Sequence, residues 1–379
     1  MRLHGRPAEK NLLRQFMNNQ NKLQRPLLLF AILALLAAMW AGLVRIGWQW
    51  PTLRPTLPMA HGPLMVSGFL GTVISLERAI ALNILFKSRW PFIVPLLSGV
   101  GALLLMIGIP GVFVPLLITL SSVGLVILFG FIVRHHPAIF TAVMAFGSLA
   151  WLVGNGLLLL NQPIAQAVWW WAGFLIFTIA GERLELSRML RFTPRQQMLF
   201  TAVSIILLSG LIVTIVSYDS GVRLSGLGMA GIALWLLRYD IARYTKNKTG
   251  LTRFIAFSML SGYAWLVVAG VLAVIFGGVS SGLYYDAILH AIFLGFTFAM
   301  IFGHAPIIFP AVLGLSLRYK SRFYGHLMLL HLSLLLRLIG DLALWPTGRL
   351  WGGLLNVIVL LLFLGNTLSA IQWRQRAQS

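Results

Sequence analysis

The chain has 379 residues, of which 59% are hydrophobic and only 10% charged, against about 25% charged in an ordinary soluble protein. Its 29 Lys and Arg against 8 Asp and Glu give a formal charge of +21, but the cations fall between long apolar runs. That pattern excludes a soluble nucleic-acid-binding domain and describes an all-α, polytopic membrane protein whose obligatory partner is lipid. The absence of cysteine excludes disulfides, thiolate metal centres, catalytic thiols and the covalent attachment of c-type haem. Eight histidines remain as candidate ligands for any metal.

Residues 1–26 are polar and basic (Arg2, Arg6, Lys10, Arg14, Lys22 and Arg25). They are expected to form a cytoplasmic arm, retained because no cleavage site of small residues follows the first apolar run. About 20 apolar residues carry a helix across a bilayer. By that measure, residues 27–371 form a bundle of about twelve transmembrane helices. The spans lie near 27–48, 59–85, 91–110, 112–134, 138–160, 164–187, 197–217, 222–243, 253–276, 284–308, 323–343 and 350–371. Residues 372–379 are a short tail. An even number of spans puts both termini on one face. Arg45, Arg54, Arg223, Arg337 and Arg349 fall on the opposite face, and the other 24 of the 29 cations lie with the N-terminus. Short cytoplasmic loops collect Lys and Arg, so both termini are expected to be cytoplasmic, and the net charge reads as a topology signal.

His61 opens the second span and His290 the tenth. Both spans run inward, so the two imidazoles share a depth in the outer leaflet and could supply both axial ligands to one haem iron. The blander account makes each an interhelical hydrogen-bonding group. Asp286 precedes His290 by four residues and shares its helix face, where a carboxylate can orient a ligating imidazole. His304 follows His290 by fourteen residues on nearly the same face, and His326 and His331 lie on the next helix. His304 with either of them is a candidate second metal or haem site. His135 and His136 read as an interfacial cluster, and His4 lies in the basic arm.

Arg337 and Asp341 are spaced to pair along their own helix; alternatively Arg337, or Arg45, meets a haem propionate. Glu77 and Arg78 on the second span and Glu182 and Arg183 on the sixth are expected to cross-pair, Glu77 with Arg183 and Glu182 with Arg78. Trp169, Trp170 and Trp171 read as an interfacial aromatic belt. Asn155, Asn356 and Asn366 read as interhelical hydrogen-bonding groups. Gly62, Gly68, Gly71, Gly295 and Gly303 fall along the histidine faces, where small residues admit a neighbouring helix or a flat macrocycle.

The run His61-Gly62-Pro63-Leu64-Met65-Val66-Ser67-Gly68-Phe69-Leu70-Gly71-Thr72 resembles the second-helix signature of the NnrS family. His290 to His304, with Gly295, Met300 and the closing Gly303-His304, resembles that family's second signature. The resemblance implies twelve helices, haem b, copper as a further candidate, and a role in the bacterial response to nitric oxide. It marks His61, His290 and His304 as metal-site residues. A haem between helices two and ten of twelve also loosely resembles haem–copper oxidase subunit I; helices six and seven lack the histidines that oxidase's copper needs. The leading expectation is therefore a b-type haem protein of the bacterial inner membrane, binding a small diatomic ligand or passing electrons. The cofactor-binding residues are His61, His290, Arg337 and Asp286, and the metal candidates His61, His290, His304, His326 and His331. No catalytic residue stands out. A secondary transporter using the intramembrane Glu/Arg pairs is the alternative.

Overall fold

The computed structural model describes residues 7–313 and 316–372; His4 and the end of the expected tail lie outside the described residues. Among these, twelve helices follow the hydropathy pattern. They are α1 (Pro7–Ile46), α2 (Leu57–Phe86), α3 (Trp90–Met106), α4 (Phe113–His135), α5 (Ile139–Leu159), α6 (Ile164–Leu186), α7 (Pro194–Val216), α8 (Tyr218–Tyr239), α9 (Gly250–Phe276), α10 (Gly282–Ile308, helical on to Leu313), α11 (Phe323–Leu342) and α12 (Pro346–Leu368). Eleven contain a stretch long and apolar enough to cross a membrane, and α3, also apolar, is shorter. The protein is an all-α, multi-pass membrane bundle. Among the described residues the one extended element is a two-residue antiparallel bridge, Ser316–Leu317 with Ile371–Gln372.

Local chemistry sets several ends. Thr193 caps α7, accepting from the Gln196 N–H while the Gln196 side chain accepts from the Thr193 N–H, and Pro194 occupies the first turn, where its missing donor costs nothing. The expected cytoplasmic arm is continuous with the first membrane helix, since α1 already begins at Pro7.

Helices adjacent in sequence pack side by side, and α12 packs against both α11 and α1. Burial separates centre from rim. The most apolar stretch of α6 is 83% buried and that of α10 72%, whereas that of α7 is 28% buried and faces lipid. This placement explains the three tryptophans of α6. They form no interfacial belt, because Trp169, Trp170 and Trp171 are all buried. Trp169 donates to the Tyr218 hydroxyl and Trp171 to Asn155 Oδ1, at 3.0 Å each. A buried indole needs such an acceptor.

At the C-terminal ends of α2 and α6 the expected cross-pairing is half present. Arg78 reaches Glu182 and also Glu77 beside it at 3.7 Å. Arg183, however, turns to α8's end and grips Asp240 with two hydrogen bonds of 2.9 and 2.8 Å. The packing of α6 on α8 brings that carboxylate within reach, and Glu77 is left with Arg78.

Candidate cofactor site

α2 and α10 face each other through two ring pairs. The His61 and His290 rings have centroids 6.4 Å apart and planes 23° from parallel. Eight residues further along each helix, Phe69 and Phe298 stack at 6.0 Å, so the helices are parallel and in register. Each histidine is followed by an eight-residue π-helical segment, Leu64–Gly71 after His61 and Ala291–Phe298 after His290. π segments are rare and concentrate at functional sites. Sequence reading missed both, since hydropathy periodicity carries no signal for one extra residue in a turn.

Both imidazoles are oriented through Nδ1. That of His61 lies 2.7 Å from the Ala38 carbonyl on α1. That of His290 lies 2.8 Å from the Asp286 carbonyl, with Asp286 Oδ1 at 3.4 Å. With Nδ1–H donating, Nε2 of each ring keeps its lone pair for a ligand. Gly42 lies against the His61 ring: a Cβ there would come within 2.9 Å of Cε1 and Nδ1. The glycine on α1 thus makes room for an imidazole on α2.

The two histidines line a cavity of about 320 Å³, within the ~300–1,000 Å³ usual for cofactor sites. Its body is apolar, including Met39, Met65, Trp171, Phe293 and Leu360. Its outer edge carries Arg45, Arg337, Arg349 and Asp286. Arg337 does not pair with Asp341 along its own helix. It holds Asp286 bidentately, at 2.9 and 3.0 Å, because α11 packs beside α10 and brings that carboxylate into line with its fork. Asp341 pairs instead with Arg349 of α12 at 2.9 Å. Arg45, exposed at the edge, makes no ion pair among the described residues. Three arginines against two aspartates leave one surplus cation at the cavity edge.

Asn356 lines the same cavity, and neither its amide nitrogen nor its oxygen has a partner. Buried amides are normally satisfied by protein or water, so an unpartnered one in a cavity wall points to a missing occupant. The other two asparagines bond across helices, Asn155 to Ser67 and Trp171 and Asn366 to His326. The glycines divide as well. Gly62 lines the cavity, while Gly68, Gly71, Gly295 and Gly303 are met by Ala102, Trp151, Trp265 and Met259, which makes them packing positions.

The remaining histidines have separate surroundings. His304 bonds the Met300 carbonyl at 2.9 Å through Nδ1, its Nε2 is buried without a partner, and Glu77, Arg183 and Asp240 act on it electrostatically. His326 sits among Phe254, Phe302, Phe323 and Phe363. His331 accepts from Trp265. No group of three or more metal-ligating side chains occurs among the described residues. His135 and His136 are exposed at the end of α4.

An iron between two imidazole nitrogens at about 2 Å each sets their ring centres roughly 6–6.5 Å apart. The His61–His290 spacing, the apolar walls and the cationic edge fit a haem on all three counts. No curated protein matches the chain. Residues 24–372 match the family described as Domain of unknown function (DUF8744), and the chain belongs to that family.

Proposed function

We propose that this protein is a b-type haem protein of the bacterial inner membrane, with both termini cytoplasmic. The observation that carries the reading is the 6.4 Å separation of the nearly parallel His61 and His290 rings. Bound there, a haem supplies one-electron transfer or reversible binding of a small ligand such as nitric oxide. His61 and His290 hold the iron, each kept in orientation by its Nδ1 bond. Asp286, fixed by Arg337, steadies His290. Arg45, the surplus cation, is available to a propionate, for which the guanidinium fork is suited. With His61 and His290 both committed to the iron, such a haem would serve electron passage better than ligand binding. The likeness of the two histidine segments to the NnrS family supports a role in nitrosative stress. Copper is left out of the proposal, because His304, His326 and His331 have no shared surroundings.

The protein purified in detergent should show a Soret band that sharpens and shifts on dithionite reduction. His61→Ala and His290→Ala should each lose most of it while eluting as folded, monodisperse protein. A colourless wild type, after expression with ample haem, overturns the proposal. Orientation is tested separately with reporters at the termini. A fluorescent protein should be bright at either end and alkaline phosphatase inactive; active phosphatase would reverse the assignment drawn from the cations.

A further inference from the structure

Between α9 and α11 lies a second cleft, of about 760 Å³, lined by Arg253, Phe257, Ser261, Tyr319, Tyr324 and His331 among others. It shares no lining residue with the outer cavity. Phe257, Met328, Leu332 and Leu335 are exposed apolar residues on the two helices, so the cleft is bordered by lipid-facing surface. Arg253 and Tyr319 lie near the cationic loop of Arg318, Lys320 and Arg322, which assigns that end to the cytoplasmic leaflet under the same charge rule.

His331 gives the cleft its chemistry. The Trp265 indole N–H lies 3.0 Å from His331 Nδ1, and an indole nitrogen can only donate. His331 Nδ1 is therefore the acceptor, and the ring proton sits on Nε2. That N–H is buried and has no acceptor, a costly state that a ligand oxygen would relieve. The aromatic side chains of Phe257, Tyr319 and Tyr324 are among the residues lining the space. The Arg253 guanidinium lies over the Phe257 ring at 5.5 Å; the donor without a partner is the uncharged Nε2–H of His331, which suits a neutral carbonyl acceptor.

We propose that this cleft binds the headgroup of a lipid-soluble quinone. A quinone carbonyl accepts the Nε2–H of His331, the flat ring lies among the aromatic side chains, and the apolar tail leaves along the lipid-facing surface of α11. Trp265, which fixes the tautomer, also packs on α10: a Cβ at Gly295 would lie 2.6 Å from its Cβ and Cγ. The site thus abuts the helix of His290 through one indole. Binding there requires nothing of the outer cavity, so it can succeed or fail whether or not haem is found.

The test titrates decylubiquinone into the purified full-length protein in nanodiscs, with calorimetric detection. The wild type should bind saturably. His331→Leu, losing one hydrogen bond, should bind about tenfold more weakly. Gly325→Leu is a second, independent variant. Gly325 lines the cleft and a Cβ there meets nothing within 4 Å, so the larger side chain should fold well and block entry. Ile205→Ala, on the exposed face of α7 and outside the residues lining either cavity, should bind as the wild type does. The proposal is overturned if the wild type does not bind the quinone, or if His331→Leu and Gly325→Leu bind it unchanged. Native mass spectrometry showing a phospholipid in the cleft that the quinone fails to displace also overturns it.

Discussion

Replacing Arg183 with leucine should destabilise the protein by about 3–5 kcal/mol, the usual cost of orphaning one member of a buried ion pair. Asp240 is fully buried and Arg183 nearly so. Without the guanidinium, the carboxylate keeps the Ser187 hydroxyl at 3.4 Å, the Ala242 N–H at 2.6 Å and the neighbouring Tyr263 hydroxyl. Those dipoles do not balance a full charge away from water. Arg183→Lys should recover only part of the loss, since an ammonium cannot make the two parallel hydrogen bonds of the fork. Replacing both residues, Arg183→Leu with Asp240→Leu, should be milder than the single change because no unpaired charge is left. Thermal unfolding in detergent measures all three; a single variant as stable as the wild type would remove this pair from the account of the fold.

Arg337→Leu is the second large effect, expected at about 3 kcal/mol, the lower end of the same range. Asp286 would lose its bidentate partner, but Arg349 stands 3.9 Å from its Oδ1 and offers partial compensation. This variant also separates stability from cofactor affinity. The Asp286 carboxylate steadies His290 from 3.4 Å, whereas the Asp286 backbone carbonyl does so at 2.8 Å and survives any substitution. Haem affinity should therefore fall by about tenfold, the mild end of the range for losing a ligand-orienting group, while stability falls steeply. A titration of apoprotein with haemin, set beside the unfolding curve, checks both. Loss of haem binding as complete as in His290→Ala would mean that Arg337 contacts the cofactor directly.

Individual residues show how far the sequence reached. The depth of His61 and His290 could be read from span boundaries, because a helix advances by a fixed rise per residue, and the structure brings the two rings together. Their azimuth could not be read: which way a helix faces depends on the neighbours it packs against. Hence spacing offers Arg337 either Asp341 on its own helix or a propionate, whereas the fold gives it Asp286 of α10. In the same way Trp169, Trp170 and Trp171 occur where interfacial aromatics occur, yet the central position of α6 buries them. Gly42 and the Ala38 carbonyl carried no sequence signal, and Asn356 read only as an interhelical hydrogen-bonding group, since their roles exist only where α1 and α12 meet the cavity. The π segments escaped for a different reason, one extra residue per turn being too small a departure to disturb an apolar run.

By itself the sequence determined that this is an all-helical membrane protein of twelve helices. Hydrocarbon leaves backbone groups no partner outside the helix, and eleven of the apolar stretches are long enough to span. It also limited metal chemistry to histidine. Only the tertiary structure decided which polar side chains meet: His61 with His290, Arg337 with Asp286, Arg183 with Asp240. Those pairings cross from one helix to another, and they depend on rotations and neighbours that no spacing along a single helix encodes.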